Sequence, residues 1–445
     1  MIKKTFLICC ISAFVITQNS FAQTKWNLKQ CVDSALARNL NVLEATTSNE
    51  TKRIDLEQAK YQRYPNLSFL GKETGYHYFS TSDLSNNKAN STVGNYGLNS
   101  SVVLYNGGQL QKRIQQHSID YQSGKLDIEK NKVDMSLNIV NAYLQILYNY
   151  EQLDLSKEIL TQVNKQYENT EMLVKYGSLP QTNLTQMKAQ VASQKFTVTQ
   201  AESNLYISKV NLMLLMEIPV VDSFDIEKPV LPDSTAVQQN SIIKSQEIYT
   251  MALGNQPQVK SAKLKSDLAQ LNTDIARTAY FPVLSANANV GSTYNSSSFT
   301  KNYQDYSIPN QLRDNMSSSL GLSLSIPIFN NWATKANVMK AEINKQFADL
   351  DKAAVELQLR KDIEQSYADF LVATKNYESA LENVQANKET YQNAEYKYNL
   401  GLITSVDLLT IRNNYVTATS QFIQTKYQYF FKSKVLDFYQ GKPLN

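Results

Sequence analysis

The sequence predicts a mainly α-helical chain with a β-barrel portion, in which two β-hairpins alternate with very long coiled-coil helices. Three observations carry this prediction. First, Gly108 to Tyr176 and Trp332 to Leu400 are helical in composition and free of proline. The first of these stretches has 69 residues (108 to 176), which at ~1.5 Å per residue gives roughly 100 Å of helix; a globular helix averages about 11–12 residues. Second, each stretch ends in a glycine turn, and Gly177 and Gly401 lie 224 residues apart. Third, a pair of segments alternating apolar with small polar residues precedes each long stretch, which is the period of a β-strand with one apolar face.

At 445 residues the chain exceeds one ordinary compact domain. Residues 1–22 read as a secretory signal: Lys3 and Lys4 precede an apolar run from Thr5 to Ile16, and Ser20-Phe21-Ala22 offers a cut before Gln23. The run is too short for a membrane anchor, and Cys9, Cys10 and Cys31 lack a lipobox-like context, so no lipid anchor is expected. Removal of the signal takes away two lysines and no acid, leaving 42 basic and 40 acidic residues, or +2. That balance gives no reason to expect nucleic acid as a partner. One cysteine, Cys31, remains, so no internal disulfide is expected. No later stretch has eighteen consecutive apolar residues, which excludes a transmembrane helix but not a β-barrel.

The elements follow in order. Residues 27–63 lack Gly and Pro and predict one helix, stopped at Pro65. Leu67 and Phe69 open a strand that reaches Phe79, a polar loop spans Ser80 to Asn95, and Tyr96, Leu98, Ser100, Val102 and Leu104 share one face of the return strand. Asn106-Gly107-Gly108 then starts the long helix, in which only Gly124 interrupts. After the Gly177 turn, Leu184, Met187, Val191, Gln194, Val198, Ala201, Leu205, Ser208, Leu212 and Leu215 form a heptad seam. Pro219, Pro229 and Pro232 mark 218–242 as a linker between two structural repeats, 23–217 and 243–440, with 441–445 a short tail.

The second half repeats the first. Phe281-Pro282 matches Tyr64-Pro65 at an offset of 217, whereas Phe329-Asn330 matches Tyr105-Asn106 at 224, so the second hairpin holds seven extra residues, most simply in its loop. Leu284, Ala286, Ala288 and Val290 alternate, 295–316 is a polar loop, and Leu320, Leu322, Leu324 and Ile326 alternate with Gly321, Ser323 and Ser325. Beyond Gly401, with Thr404 or Ser405 as cap, Leu408, Ile411, Tyr415, Ala418, Phe422, Thr425, Tyr429, Lys432, Leu436 and Tyr439 continue a seam.

Four such strands face a physical difficulty. A hairpin of this composition does not stand alone in water. If its apolar face meets lipid, every edge must be paired, because lipid satisfies no backbone group. Four strands are too few to close a barrel, for which about 8 are the minimum. Two chains would give a filled eight-stranded barrel and three an open twelve-stranded one; three is the expectation here.

This layout resembles that of TolC-like outer-membrane efflux proteins. The resemblance rests on the duplicated halves, the Tyr64-Pro65 and Phe281-Pro282 joints, the Tyr105-Asn106-Gly107-Gly108 strand exit and the turn Tyr398-x-x-Gly401-x-x-x-x-Val406-Asp407. It covers about Trp26 to Tyr439. It implies a homotrimer with a 12-stranded barrel in outer-membrane lipid and a periplasmic helical tunnel. It also implies docking to a periplasmic adaptor and, through it, to an inner-membrane transporter. The implied function is a passive exit duct of a tripartite efflux system.

The resemblance also names site residues. The pore constriction falls at Asp407, Thr410, Asn183 and Tyr398, and the adaptor-docking tips at Gly177, Ser178, Leu179, Gly401, Leu402 and Ile403. Departures from the family pattern sit at the same place: Thr410 and Asn183 stand where acids are expected, and Ile403 where an arginine is common. Asp407 has two readings. Beside the seam it could face the lumen, where a trimer would place three carboxylates around a constriction that favours cations; or it stabilises a helix N-terminus, worth about 0.3–1 kcal/mol.

No catalytic chemistry is legible. His77 falls in a strand and His117 in a long helix, and there is no CxxC, HExxH, GxSxG or Walker loop. The carboxylates alternate with lysines as on solvated helix faces. The chain is expected not to be an enzyme and to need no cofactor or metal. Two rival functions remain at this level: the outer-membrane component of a type I protein secretion system, which keeps the fold and changes the cargo, and a periplasmic coiled-coil scaffold, which leaves the strands unexplained.

Overall fold

A computed structural model describes residues 25–77, 90–229, 244–297 and 306–442. The signal segment 1–22, the linker beyond 229 and the last residues of the tail lie outside the described residues, as do parts of both hairpin loops. In chain order the elements are α1 (Leu28–Arg38), α2 (Leu40–Tyr61), β1 (Asn66–His77), β2 (Asn90–Tyr105), α3 (Gln109–Lys175) and α4 (Gln181–Leu215). The second half supplies α5 (Ser245–Asn255), α6 (Pro257–Arg277), β3 (Val283–Asn295), α7 (Ile308–Asp314), β4 (Ser317–Ser325), α8 (Ala333–Asn399) and α9 (Ser405–Tyr439). Helices α3 and α8 have 67 residues each, and α4 and α9 have 35 each.

The duplication is written into the backbone. Among the described residues, positive φ occurs at Gly107, Gly108, Gly177 and Glu217, and again at Asn331, Trp332, Gly401 and Gly441. Each member of the second set lies 224 residues beyond its partner in the first. These pairs mark the strand exits, the two turns and the ends of α4 and α9. At four of these helix ends the left-handed residue closes the same pair of backbone bonds: Gly177 N–H donates to Val174 O and Ser178 N–H to Leu173 O, while Gly401 N–H donates to Tyr398 O and Leu402 N–H to Lys397 O. Glu217 (φ 52°) and Gly441 do likewise. Glu217 has a reason to replace glycine there: its carboxylate accepts from the Leu40 N–H at 2.9 Å and caps the start of α2.

That start corrects one expectation. Residues 27–63 form two helices, broken at Asn39, which is extended (ψ 124°). Asn39 Oδ1 accepts from the N–H groups of Asn41 and Val42, so a local side-chain bond competes with the helix. The second half breaks at the same place, Gln256, 217 residues on, with Pro257 opening α6.

One unit of the structure comprises 44–130 and 253–360. It holds a four-stranded antiparallel sheet in the order β1-β2-β3-β4. β2 begins at Asn90, inside the expected polar loop, and the expected loop 295–316 contains α7. β4 stops before Pro327, which has no N–H to give a ladder. At its other end β4 begins only at Ser317, opposite Gly291, and ahead of it a side chain takes over its role: Gln311 of α7 accepts from Asn295 N–H at 2.8 Å and donates to Asn295 O at 3.0 Å. A bulge between Val103 and Tyr105 puts Tyr105 opposite Leu284, so Leu104 drops out of the expected face.

In the same unit Gly124 is explained. A Cβ there would lie 2.1 Å from Asn49 Oδ1 of α2. The repeat-related positions hold Ala348 and Ser266, a larger residue facing a smaller one.

The other unit comprises 1–43, 131–252 and 361–445. Its core joins Cys31 and Ala35 of α1, Ile139, Tyr143, Ile146 and Val163 of α3, Leu205, Leu212 and Met213 of α4, and Ile423 and Tyr427 of α9. Every residue of the predicted α4 and α9 seams is buried or half-buried. The described part of the linker packs here too. Phe224 and Ile226 are buried, Trp26 pairs with Ile226, and Tyr143 Oη donates to Glu227 O at 2.6 Å.

Gly124→Ala is expected to lower the unfolding midpoint of the purified protein, an overpacking cost of about 1–3 kcal/mol outweighing a helix-propensity gain of about 1 kcal/mol. Adding Asn49→Ser, the arrangement of the second half, is expected to restore most of the loss. Additive losses in the double variant would show that the two positions do not share one space.

Candidate functional site

The sheet and the two helical turns are the places where this chain departs from ordinary helical packing. The sheet has two unlike faces. Register places Leu67 and Phe69 of β1, Leu98 and Val102 of β2, Leu284, Ala286, Ala288 and Val290 of β3, and Leu320, Leu322 and Leu324 of β4 on one face. Ser68, Asn99, Ser101, Asn287, Asn289, Ser319, Ser323 and Ser325 occupy the other. Leu320, Leu322 and Leu324 are 85%, 72% and 62% exposed, so the apolar face is bare in the single chain. Aromatic residues flank it: Tyr105, Phe281, Phe329 and Trp332 are exposed at the helix-to-strand junctions, and Tyr96 stacks on Tyr294 toward the hairpin loops. An apolar band between aromatic girdles is the signature of a membrane β-barrel wall. Among the described residues no helix is long and apolar enough to cross a membrane.

The turns are built alike and finished differently. After Gly177 (φ 72°), Pro180 precedes α4 without a side-chain cap. After Gly401 (φ 71°), Thr404 caps α9 in a full capping box. Asp407 N–H donates to Thr404 Oγ1 at 3.2 Å, and the Asp407 carboxylate accepts from the Thr404 N–H at 3.2 Å and hydroxyl at 2.7 Å. Asn183 occupies the equivalent position of the first turn, but Pro180 has no hydroxyl to complete the box.

The named site residues separate accordingly. Gly177, Ser178, Gly401 and Leu402 are exposed, while Leu179 and Ile403 are half-buried. Ile403 and Tyr398 pack against a cluster of Tyr391, Ala394 and Leu408. Asp407 is exposed as well as capping, and Asn183 is half-buried. The Thr410 hydroxyl donates back to Val406 O at 3.0 Å. The Thr404 hydroxyl, then its backbone N–H, hold the Asp407 carboxyl below the usual carboxylate range. A lowered carboxyl stabilises where it is ionised. The contribution is complete above the ordinary aspartate value of about 3.9 and is lost as pH falls through the lowered folded value.

One residue near the second turn escaped the sequence reading. Arg412 is 1% exposed. Its guanidinium donates to Gln166 Oε1 of α3 at 2.9 Å, and its Nε has no partner. Burial pushes its pKa down, with Tyr391 acting the other way. Arg412 belongs to a second buried stripe of α9 that faces α3, continued where Ser420 meets Gln152 and where Lys426 and Tyr427 meet Glu151. A heptad count finds the first stripe only. The signal for the second was the recurrence of Arg412, Val416, Ile423 and Tyr427 at helical spacing.

Among the described residues no three His, Cys, Asp or Glu side chains gather as a metal site would require. A bare apolar sheet face, in a chain whose long helices end in two glycine turns, defines a membrane-wall protein with an extramembrane helical part. A family model described as outer membrane efflux protein matches residues 31–216 and 248–441, and the chain belongs to that family. It is an outer-membrane protein whose helical part lies in the periplasm. The probable outer membrane lipoprotein SilC of Salmonella typhimurium is 23% identical over 415 residues, covering 91% of this chain and 85% of SilC. The probable efflux pump outer membrane protein TtgC of Pseudomonas putida is 23% identical over 280 residues, 60% of this chain, and the match spans about half (52%) of TtgC. The fold is that of the outer membrane protein VceC of Vibrio cholerae, with a TM-score of 0.76 at 16% identity, covering 94% of this chain and 97% of that one. The Campylobacter jejuni CmeC outer membrane channel also has a TM-score of 0.76, at 20% identity, covering 93% of this chain and 85% of that one.

Arg412→Met is expected to leave stability unchanged or raise it, since the desolvation cost of a buried guanidinium, several kcal/mol per ion, is offset here by a single hydrogen bond to an amide, worth about 1.5–3 kcal/mol. Gln166→Leu keeps the charge and removes its acceptor, and is expected to destabilise by about 1.5–3 kcal/mol. Thermal unfolding, with hydrogen exchange across α9, reads both. Loss of stability in Arg412→Met would show that the guanidinium is a net stabilising group.

Proposed function

We propose that this protein is the outer-membrane exit duct of a tripartite efflux system, a passive channel for solutes delivered by an inner-membrane transporter through a periplasmic adaptor. The observation that carries this reading is the four-stranded sheet, bare on its apolar face and unpaired along the outer edges of β1 and β4 among the described residues. Lipid satisfies no backbone group, so those edges must pair with other copies. Three copies give 12 strands around an open lumen. The efflux function of named relatives supports the cargo class. The exposed residues Gly177, Ser178, Gly401 and Leu402, with Leu179 and Ile403 behind them, form the docking tips for the adaptor, where small and apolar side chains permit close backbone approach.

The test combines assembly with function. Purified protein is expected to be a trimer that stays with outer membranes after a carbonate wash, and deletion is expected to raise drug susceptibility. Leu322→Arg places a charge against lipid, at a cost of about 2–4 kcal/mol near the midplane, and is expected to block assembly and abolish efflux. Ser323→Arg points to the other face and is expected to assemble. Equal assembly of the two variants would reject the lipid-facing wall, and release by carbonate would favour a periplasmic scaffold.

Asp407, Thr410, Asn183 and Tyr398 are the proposed constriction, with three Asp407 carboxylates at its narrow end. Asp407 also caps α9, and the two roles separate experimentally. Asp407→Ala removes charge and cap together, whereas Thr404→Ala breaks the same capping box and keeps the charge. In single-channel recordings Asp407→Ala is expected to lose cation preference and block by a trivalent cation, and Thr404→Ala to keep both. If both variants behave alike, Asp407 acts only through the helix end.

A further inference from the structure

The polar face of the sheet carries an asymmetry of charge. Along the register, its residues from Asn66 to Tyr76 on β1, Ser91 to Val103 on β2, Val283 to Asn295 on β3 and Ser317 to Ser325 on β4 are serine, asparagine, threonine and glycine with a few apolar members. The one charged residue among them is Lys72, paired across the ladder with Asn95, which in turn pairs with Thr293. Lys72 is exposed, and among the described residues no hydrogen bond or ion pair holds its ammonium. The repeat-related position, 217 residues on, is Asn289, so the second half adds no second lysine.

Its sequence neighbour shows the contrast. Glu73 points to the opposite face, and both the Tyr96 and Tyr294 hydroxyls donate to its carboxylate. The charge on the outer face is thus tied down by phenols beyond the apolar band. The charge on the inner face is free to act on whatever passes.

We infer that Lys72 sets the ionic preference of the barrel end: three copies form a ring of ammonium groups on a lumenal strand face that carries no other charge among the described residues, which admits anionic solutes and opposes cationic ones. The inference rests on the trimeric-barrel reading above. Rings of lysine or arginine in a pore select anions, and low-dielectric walls let the ring's potential extend into the lumen. The lumen of twelve strands is wide, so the preference is graded and depends on salt. It is felt at about 0.1 M, where the screening length is about 10 Å, and fades at about 1 M, where that length is about 3 Å.

The test uses purified full-length protein in planar bilayers under a KCl gradient, in an Asp407→Ala background so that the periplasmic end does not mask the barrel end. Lys72→Glu is expected to raise the potassium-to-chloride permeability ratio by about two-fold or more below about 0.1 M salt and to have little effect at about 1 M. Lys72→Gln is expected to fall between Lys72→Glu and the parent. Glu73→Gln, on the outer face, is expected to leave the ratio unchanged. Lys72→Cys supplies an independent readout, because the buried Cys31 thiol is pushed up to about 12 and does not compete. A cationic thiol reagent is expected to return the parent ratio and an anionic reagent the Lys72→Glu ratio. Channels whose ratio ignores every change at Lys72 would overturn this inference alone. A protein that forms no trimer and no channel would overturn the barrel reading and this inference with it.

Discussion

Everything in this chain is arranged around backbone hydrogen bonds that must be satisfied where water is absent. The sheet presents an apolar face with leucines more than half exposed, which only lipid or another apolar surface can cover. Each interior strand is paired on both sides, and the register runs unbroken except at the Val103/Tyr105 bulge. Where β4 begins late, opposite Gly291, the Gln311 amide supplies both the donor and the acceptor that a strand would have given to Asn295. The outer edges of β1 and β4 cannot be satisfied within one chain, and lipid offers nothing in place of a partner. That requirement underlies the trimer proposed here.

The helical part solves a related problem by repetition. Long helices cannot end without leaving carbonyls unpaired, and this chain ends α3, α4, α8 and α9 with the same left-handed residue and the same two backbone bonds. Glycine fills three of those four positions. Glu217 fills the fourth because its side chain caps α2, so the strain of a left-handed non-glycine residue is offset by a bond that glycine could not make. The strand exits show the same economy: Gly107 and Gly108 in one half, Asn331 and Trp332 in the other. Gly107 has a steric reason, since a Cβ would approach Phe281 Cβ to 2.8 Å; Trp332 stands among the exposed aromatic residues at the helix-to-strand junctions.

The two turns are unequal in a way that bears on their roles. The first has a proline before its helix and no side-chain cap. The second has a closed capping box whose acid is exposed. Behind it Arg412 lies buried between α9 and α3 with one amide partner. A buried charge with so few partners is costly, so the contact that joins the second turn to the first hairpin is specific without being strongly held.

The sequence alone determined the duplication, the long helices, the glycine turns, the strand alternation and the family resemblance. All of these rest on local periodicity or on pairs of residues at fixed offset. It also located the extra residues of the second hairpin and the two options for capping α9, of which Thr404 is the one used. Only the tertiary structure decided the rest. The breaks at Asn39 and Gln256 depend on side-chain bonds and chain direction that composition does not encode. The packing of 224–227 into the core, inside a proline-marked linker, depends on Trp26 and Tyr143 arriving from distant positions. The burial of Arg412 required a second helix face, because a heptad pattern reports one seam while α9 packs on two sides. Gly124, which reads as an interruption, is the space that Asn49 occupies. In each case the deciding contact joins residues far apart in the chain, where periodicity carries no information.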